Sequence, residues 1–246
     1  MDDLSHTDAG TPPRVTIVTV TMNNAYGLAQ TIESVSQQRY ENLQYVVVDG
    51  GSVDGSLELA QSKKSEIDKW ISEPDCGIYH AMNKALILAD GEWLIFLNAG
   101  DIFAFPDALS RAISCVDNSV DVVYSDWIYR ESGKQIKASF ERMIVRHQSV
   151  MYRKELHRLF GTYVVGPRVT ISDFIFFLSL SNRNWAYCSQ PISICEQTGI
   201  SANPAHFYQR MATEFIFGRR TRLEIAAILV IHPIYRWFKK YILFRH

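Results

Sequence analysis

Short apolar runs rich in β-branched residues alternate with helical patterns over the first half of the chain. The runs predict strands buried on both faces, and they lie at 15–20, 44–49, 92–97 and 121–129. Between them, apolar residues recur at helical spacing, as at Leu28, Ile32 and Val35. Strands alternating with helices imply right-handed crossovers. The sequence therefore predicts an α/β fold with a mostly parallel central sheet flanked by helices.

The composition is that of a folded protein with a sizeable core. Of 246 residues, 47% are hydrophobic and 21% are charged. The four cysteines lack metal-binding spacing, which predicts reduced thiols in a cytoplasmic protein without a zinc site or a disulfide framework. The acidic start "MDDLSHTDAGTPPR" is unlike a secretory signal, and no run reaches the roughly 18 apolar residues that cross a bilayer.

The last forty residues differ from the rest in charge. Residues 205–246 contain eight arginines and lysines against two acids, so the tail is basic and the remaining chain is acidic. The segment "IAAILVIHPIYRWFKKYILFRH" mixes apolar, aromatic and basic residues. This mixture predicts amphipathic C-terminal helices on an anionic membrane surface. A dimer or core helix is the alternative, and an acidic body argues against nucleic acid as a partner.

These patterns predict a domain at 1–204, with a flexible N-terminus at 1–13, followed by the basic tail at 205–246. Within the domain, Asp49, Asp101 and Asp126 each close or follow an apolar run. Ligands of parallel sheets gather at the carboxyl ends of the strands, so one crevice is expected to collect these acids. Because a buried unpaired carboxylate is costly, Asp101 should cap the helix that starts near Pro106, contact water or hold a cation.

Six stretches, in this order, resemble an inverting family 2 glycosyltransferase with the GT-A fold. They are "VTIVTVTMNN", "QYVVVDGGSVDGS", "SEPDCGIYHAMNKAL", "GEWLIFLNAGDIF", "RHQSVMYRKEL" and "ISDFIFF". The third stretch is most similar to bacterial enzymes that build exopolysaccharide, O-antigen or colanic-acid-type repeat units on a lipid carrier. The resemblance implies a nucleotide-diphosphate sugar donor, a lipid-linked saccharide acceptor and a peripheral location on the inner face of the cell membrane.

The resemblance assigns the metal role to Asp101. The family's motif is of the Asp-x-Asp type, and this chain has Asn98-Ala99-Gly100-Asp101. Asp101 is expected to hold Mn²⁺ or Mg²⁺ together with diphosphate oxygens and water, because magnesium keeps several waters in any case. Asn98 is expected to contact the donor. Since acids are missing at two positions of the motif, metal affinity should be weak without nucleotide.

Five further residues are expected to bind the donor. By resemblance, Val20 and Asp49 end strands beside the nucleoside, Asp75 contacts a ribose or sugar hydroxyl, and Asn83 and Lys84 lie near the diphosphate. Each position also has a structural interpretation. Asp49-Gly50-Gly51 is typical of a turn, and a lysine on an amphipathic helix is commonly solvated. These residues do not specify which nucleotide the sugar donor carries.

The second half of the chain supplies the expected catalytic base. Asp173 matches an acid that, in the family, takes the proton of the acceptor hydroxyl as this hydroxyl attacks the anomeric carbon and inverts it. The alternative is that Ser172 and Asp173 only begin a helix. His147 and Gln148, in "RHQSV", match the bacterial subgroup. They are expected to bind diphosphate or line the acceptor pocket, although core histidines are common.

Two other functions were weighed against the glycosyltransferase. A sugar-nucleotide pyrophosphorylase needs a glycine-rich, basic loop after the first strand, and "TVTMNNAYG" is neither. A noncatalytic nucleotide-sugar binding protein would fit the reduced acid motif. The substitution Asp173→Asn separates binding from catalysis.

Overall fold

The computed structural model describes residues 12–197 and 204–231. The chain divides into two compact units, Met1–Gln197 and Thr198–His246. Most of the predicted flexible N-terminus and the tail beyond residue 231 lie outside the described residues. The predicted domain boundary at residue 204 stays a prediction.

The first unit contains nine strands and six helices within the described range. The strands are β1 (Val15–Thr21), β2 (Leu43–Asp49), β3 (Lys69–Ser72), β4 (Trp93–Phe96), β5 (Ile102–Phe103), β6 (Val122–Tyr129), β7 (Gln135–Ile136), β8 (Val150–Arg153) and β9 (Trp185–Cys195). The helices are α1 (Ala25–Ser36), α2 (Ser56–Ser62), α3 (Ile78–Leu88), α4 (Ala108–Ser114), α5 (Leu156–Phe160) and α6 (Ser172–Ser179). A 3₁₀ turn, His147–Ser149, precedes β8.

All nine strands form one sheet with the order β3-β2-β1-β4-β8-β6-β9-β5, and β7 pairs with β6. The first four strands are parallel, as predicted. Beyond β4 the sheet is mixed, because β8 runs antiparallel to both β4 and β6 while β9 is parallel to β6. The prediction of an α/β sheet is confirmed, and its parallel character is concentrated at the β1 to β4 side.

Side-chain alternation along the central strands divides the core into two layers. Val18 and Val20 of β1 pack in a cluster with residues of α3, whereas Val15 and Ile17 pack in a second cluster with residues of α1 and α4. Every residue of β1 is buried. This explains the continuous β-branched run, since both faces of the strand contact helices.

Two polar side chains fix the loops at the carboxyl ends of the strands. Asn24 caps α1, because its Oδ1 accepts from the Gly27 amide at 3.0 Å, and its Nδ2 donates to the carbonyl of Ala99 beyond β4. Asp54 accepts from the amides of Ala25 and Ser56, so it joins the starts of α1 and α2. These contacts hold the loops after β1, β2 and β4 together.

The second unit contains α7 (Pro204–Ile216) and a helical stretch at 222–231. Gly218 follows α7 with φ 69°, a left-handed conformation that suits glycine. A capping box begins this stretch: Thr221 Oγ1 accepts from the Glu224 amide at 3.2 Å, and Glu224 Oε2 accepts from the Thr221 amide at 2.7 Å. Pro233 lies outside the described residues. No helix in the described parts is both long and apolar enough to span a bilayer.

Candidate active site

The carboxyl end of β2 is closed by Asp49, which is buried. Its Oδ2 accepts from the Ser72 hydroxyl at 2.6 Å and from the Ser52 amide at 3.0 Å, and its Oδ1 accepts from the Ser52 hydroxyl. The Gly51 amide, at 3.3 Å, also points to Oδ2. Asp49 therefore stabilises the glycine turn after β2 and ties β3 to it. This structural role is compatible with a wall of the donor site.

Asp75 lies over this turn, on the loop before α3. A Cβ placed on Gly50 would come within 2.5 Å of Asp75 Oδ2 and 3.0 Å of Met22 Sδ, so glycine is needed for their close approach. Asp75 Oδ1 accepts from the Gly77 amide at 2.7 Å. The structure thus brings Asp49 and Asp75 to one side of the crevice. Val20 is buried there, and its carbonyl accepts from the Ala99 amide.

Asn83 and Lys84 of α3 are engaged with the protein itself. Both polar atoms of the Asn83 amide bond to the backbone of Tyr163, at 2.8 and 2.9 Å. Lys84 Nζ donates to the Pro74 carbonyl at 3.0 Å and pairs with Glu73 at 3.0 Å. The Lys84 contacts fix the loop that carries Asp75, and the Asn83 contacts join α3 to the chain at Tyr163. Direct donor contact by either residue stays a prediction.

Asp101 does not cap a helix, because α4 begins at Ala108 after Asp107 and β5 follows Asp101 directly. Its side chain is buried, with 5% of the residue exposed. Oδ2 accepts from Gln148 Nε2 at 2.7 Å and Oδ1 from the Glu196 amide at 3.1 Å. Burial raises the pKa of this carboxyl despite the hydrogen bond from Gln148 and the proximity of His147.

Asp173, in the first turn of α6, accepts two side-chain hydrogen bonds. The Tyr79 hydroxyl donates to Oδ1 at 2.7 Å, and His147 Nδ1 lies 2.9 Å from Oδ2. Burial raises the pKa of Asp173, but the hydrogen bond from His147 and the charge of the imidazolium that His147 forms at low pH, together with Tyr79, outweigh this and bring the pKa to about 2. Asp173 is therefore an ionised carboxylate at neutral pH.

His147 and Gln148 bring the two acids together. They are consecutive residues of the 3₁₀ turn before β8, and they bond to Asp173 and Asp101 respectively. The other ring nitrogen of His147, Nε2, lies 3.0 Å from Asn98 Nδ2. One network thus contains the expected base, the expected metal ligand and Asn98.

Asp126 does not join this network. Its oxygens accept from the Tyr187 hydroxyl, the Gln135 amide group and the Ala138 backbone, each within 2.9 Å. The expectation that all three strand-end acids would line one crevice is therefore wrong for Asp126. Its strand, β6, lies two strands beyond β4, and Asp126 holds the chain around β7 against β9.

Two arginines surround the Gly100 turn. Arg130 donates to the Gly100 carbonyl and, at 3.0 Å, to Gln30 Oε1, while Arg146 donates to the Glu196 carbonyl at 2.7 Å. The Glu196 side chain also lies here, with Oε1 2.9 Å from where a Gly100 Cβ would be. Gly100 has φ 102°, so the turn requires glycine.

Sequence reasoning missed three contributors to the site: Tyr79, Arg130 and Glu196. Tyr79 is 94 residues from Asp173, and Glu196 is 95 residues from Asp101. Tyr79 lies on α3 and is buried like Ala81, Met82 and Ala85, so the helical pattern around it indicates core packing and not a contact to Asp173. No local signal would have found these pairs.

Among the described residues, Asp101 has no second and third carboxylate, imidazole or thiol with which to complete a metal site. Within the described ranges, no three His, Cys, Asp or Glu side chains meet in a way that could hold an ion. The side-chain oxygens of Asn98 and Gln148 are buried without a hydrogen-bond partner among the described residues. A buried carboxylate beside unpaired amide oxygens presents hard donors, the kind that Mg²⁺ and Mn²⁺ prefer.

A family model for glycosyl transferase family 2 matches residues 16–183. A PGL/p-HBAD biosynthesis glycosyltransferase of Mycobacterium bovis (strain BCG / Pasteur 1173P2) is 31% identical over 175 residues, which are 67% of this chain and 68% of the relative. A second mycobacterial glycosyltransferase, from Mycobacterium tuberculosis (strain CDC 1551 / Oshkosh), is 36% identical over 105 residues, 42% of this chain and 40% of that relative.

Two solved structures have a similar fold. Residues 1–349 of S. aureus TarS, in complex with UDP-GlcNAc, match with a TM-score of 0.68 and 18% identity over 80% of this chain. The match spans only 64% of that TarS chain. The mannosyltransferase PcManGT from Pyrobaculum calidifontis, with GDP-Man and Mn²⁺, gives a TM-score of 0.67 and 20% identity, covering 87% of this chain and 66% of the other.

The sheet, the strand-end acids and these likenesses define a glycosyltransferase with the GT-A fold. The chain belongs to glycosyl transferase family 2, as the resemblance in its six motifs predicted.

Proposed function

We propose that this glycosyltransferase moves a sugar, with inversion, from a nucleotide-diphosphate sugar to a lipid-linked saccharide in bacterial surface polysaccharide synthesis. The observation that carries the proposal is the network in which His147 and Gln148 join Asp173 to Asp101. One acid beside the leaving diphosphate and one acid beside the attacking hydroxyl are the two charges that this reaction needs.

Asp49 and Asp75 form the proposed donor side of the site, at the carboxyl end of β2. Gly50 lets Asp75 approach this strand end, so the backbone and one carboxylate face a ligand together. Such strand-end crevices are the usual ligand sites of parallel sheets. In the TarS structure this fold holds UDP-GlcNAc, and in PcManGT it holds GDP-Man, so a nucleotide diphosphate is a fitting probe.

Asp101 would hold a divalent cation, and the donor's diphosphate and water would complete the coordination. The residues fit this arrangement, because a buried carboxylate whose pKa is raised gains from a nearby positive charge. When bound, the cation supplies neutralisation of the leaving diphosphate. PcManGT was solved with Mn²⁺, which makes Mn²⁺ the first cation to test.

Asp173 is the proposed base. Its oxygens accept hydrogen bonds from the Tyr79 hydroxyl, from His147 and from the Phe174 backbone, and a carboxylate has about four lone-pair sites, so acceptor capacity remains for one incoming hydroxyl. Only 19% of its side chain is exposed, which limits competition by water. The carboxylate is ionised and can therefore take the acceptor's proton as the glycosidic bond forms.

The second unit is proposed to contact the membrane that carries the acceptor. Six apolar side chains there are more than 40% exposed, and arginines lie among them: the six are Ile216, Phe217, Leu223, Leu229, Val230 and Ile231. Exposed apolar surface beside basic residues suits an anionic lipid interface. Together with the proposed lipid-linked acceptor, this contact supports a proposed location at the inner face of the cell membrane.

The central test is nucleotide-dependent stabilisation of the purified protein. UDP, GDP and dTDP are each added with and without Mn²⁺, and melting temperature is followed. One nucleotide should raise it more than the others, with a larger rise when Mn²⁺ is present, because ligands that bind only the folded state stabilise it. The sugar nucleotides of the best diphosphate then serve as donors in a transfer assay. If no nucleotide changes the melting temperature, the proposal is wrong.

The membrane contact has its own test. The full chain and a variant ending after Gly218 are sedimented with vesicles of anionic and of neutral lipid. The full chain should bind anionic vesicles at least about tenfold better than the truncated variant and should lose binding at high salt. Equal sedimentation of the two proteins would refute the contact. Unchanged nucleotide-induced stabilisation of the truncated variant is the control that its first unit is folded.

A further inference from the structure

The His147 ring lies between Asp173 and Asn98, and its two nitrogens have different neighbours. Nδ1 is 2.9 Å from a carboxylate oxygen of Asp173, and Nε2 is 3.0 Å from the side-chain nitrogen of Asn98. An ionised carboxylate only accepts hydrogen bonds, so the proton must lie on Nδ1. In a neutral imidazole Nε2 is then an acceptor, and it can only receive the N–H of Asn98.

We propose that His147 is a positioning residue for Asp173, that Asn98 holds His147 in the Nδ1-protonated tautomer, and that His147 does not contact the donor. The inference rests on the proposed function for its kinetic part, because it concerns the base of that reaction. It replaces the expectation from the motif that His147 binds diphosphate or acceptor.

The arrangement also accounts for the asparagine at position 98. An aspartate there, as in an Asp-x-Asp type motif, has no N–H to donate. Its oxygens would face the unprotonated Nε2 of His147, so two hydrogen-bond acceptors would meet without a proton between them. The side-chain N–H of Asn98 provides the hydrogen-bond donor, and the side chain also keeps an oxygen. This Oδ1 is buried without a partner among the described residues. The change from acid to amide is thus matched to the neighbouring histidine.

One further side-chain contact fixes the orientation of Asp173, and a second fixes that of Asp101. The Tyr79 hydroxyl donates to Oδ1 at 2.7 Å, so donors from α3 and from the 3₁₀ turn hold the two oxygens separately. Gln148, the next residue of the same turn, donates to Asp101 at 2.7 Å. The turn therefore sets both acids from one rigid piece of backbone, and a small error in either orientation would lower turnover.

Three variants separate the roles of the two ring nitrogens. In His147→Asn the amide can take the place of Nδ1 and still donate to Asp173. In His147→Gln the amide can reach the place of Nε2 but cannot serve Asp173 from the position of Nδ1. His147→Ala removes both. We expect kcat to fall less than about tenfold in His147→Asn and by roughly 100-fold in the other two, with the donor KM within about threefold of the wild type.

A matched control is His157→Asn, at a buried histidine that bonds to Tyr152 and the Gly161 carbonyl. It should lower the melting temperature without the kcat pattern of the His147 series. Three results would overturn the proposal: unchanged kcat in His147→Gln, a rise in the donor KM as the main effect of all three variants, or equal loss in His147→Asn and His147→Ala.

A spectroscopic measurement tests the tautomer without any turnover. Long-range ¹H–¹⁵N spectra of ¹⁵N-histidine-labelled protein near pH 8 report which ring nitrogen carries the proton, and His147→Asn identifies the signal. Nδ1 should be protonated and Nε2 bare. A proton on Nε2 would refute the role of Asn98. Absence of any nucleotide-induced stabilisation would instead refute the proposed function, so the two failures are distinguishable.

Discussion

Asp49 and Asp173 are both acids with hydrogen-bonded side chains, but their partners come from different distances along the chain. The nearest donors of Asp49, Gly51 and Ser52, lie two and three residues away. Asp49 has one more distant donor, Ser72, 23 residues away, whereas both side-chain hydrogen-bond donors of Asp173 are distant, at 26 and 94 residues. The turn that contains Asp49, at the carboxyl end of β2, is thus organised mostly by nearby residues. The base side is assembled from α3, α6 and the 3₁₀ turn.

The difference implies different consequences of mutation. An acid bonded to nearby residues stabilises its own turn, so its removal should mainly lower the free energy of unfolding. The orientation of an acid that is bonded to distant elements depends on the whole fold, so its removal should mainly lower kcat. The following substitutions test this division.

The largest effect is expected for Asp173→Asn. An amide keeps the size of the side chain but cannot take the acceptor's proton, so kcat should fall by roughly 10²- to 10⁴-fold. Affinity for the nucleotide diphosphate, measured by thermal shift, should be unchanged. Asp117→Asn is the matched control, because Asp117 lies before β6, where its carboxylate caps a turn at Ser119. Residual activity near the wild-type level would remove Asp173 from the mechanism.

The second prediction is a pH dependence of stability that comes from His157. The hydrogen-bond partners of this histidine lie four and five residues away. Burial lowers the pKa of His157 from 6.5 to about 4. The unfolded chain therefore binds more protons between these values, and stability falls as pH decreases from about 6.5 towards 4. The contribution is roughly 3 kcal/mol. Urea unfolding of wild type and His157→Gln at several pH values checks it, and the variant should show the smaller slope. Parallel curves would contradict the assignment.

The local side predicts a smaller loss. Asp49→Ala should lower the free energy of unfolding by about 2 kcal/mol, because the Ser52 and Ser72 donors lose a buried acceptor. Ser72→Ala, which removes one of these bonds, should cost roughly half as much. Chemical denaturation of the free protein measures both. A stable Asp49→Ala protein that has only lost turnover would break the division between the two sides.

The sequence predicts features that lie within one element and fails for contacts between distant residues. The β-branched runs and helical stripes identified β1, β2, β4, β6 and most helices, because each signal lies within one element. Strands β3, β5, β7 and β8 were missed, since runs of two to four residues carry too little periodicity. Likewise Asp49 could be read as a turn acid from its own glycines. The partners Tyr79 and Glu196 could not be found, because only the folded sheet brings them to Asp173 and Asp101.

The smallest change in the free energy of unfolding is expected for Asp101→Asn, and this substitution should raise stability where the preceding ones lower stability or turnover. Because burial raises the pKa of Asp101, ionisation is unfavourable in the free protein, and the charge costs stability as pH rises above the carboxyl's ordinary range. An asparagine can donate to the unpaired oxygen of Gln148 and keep an oxygen for the Glu196 amide. We expect the free variant to be about 1 kcal/mol more stable than wild type at neutral pH. The Mn²⁺-dependent part of nucleotide stabilisation should disappear in the same protein, because the proposed ligand is neutral. Melting curves with nucleotide, with and without Mn²⁺, measure both effects. A variant that is less stable and still responds to Mn²⁺ would place the cation, if one binds, away from Asp101.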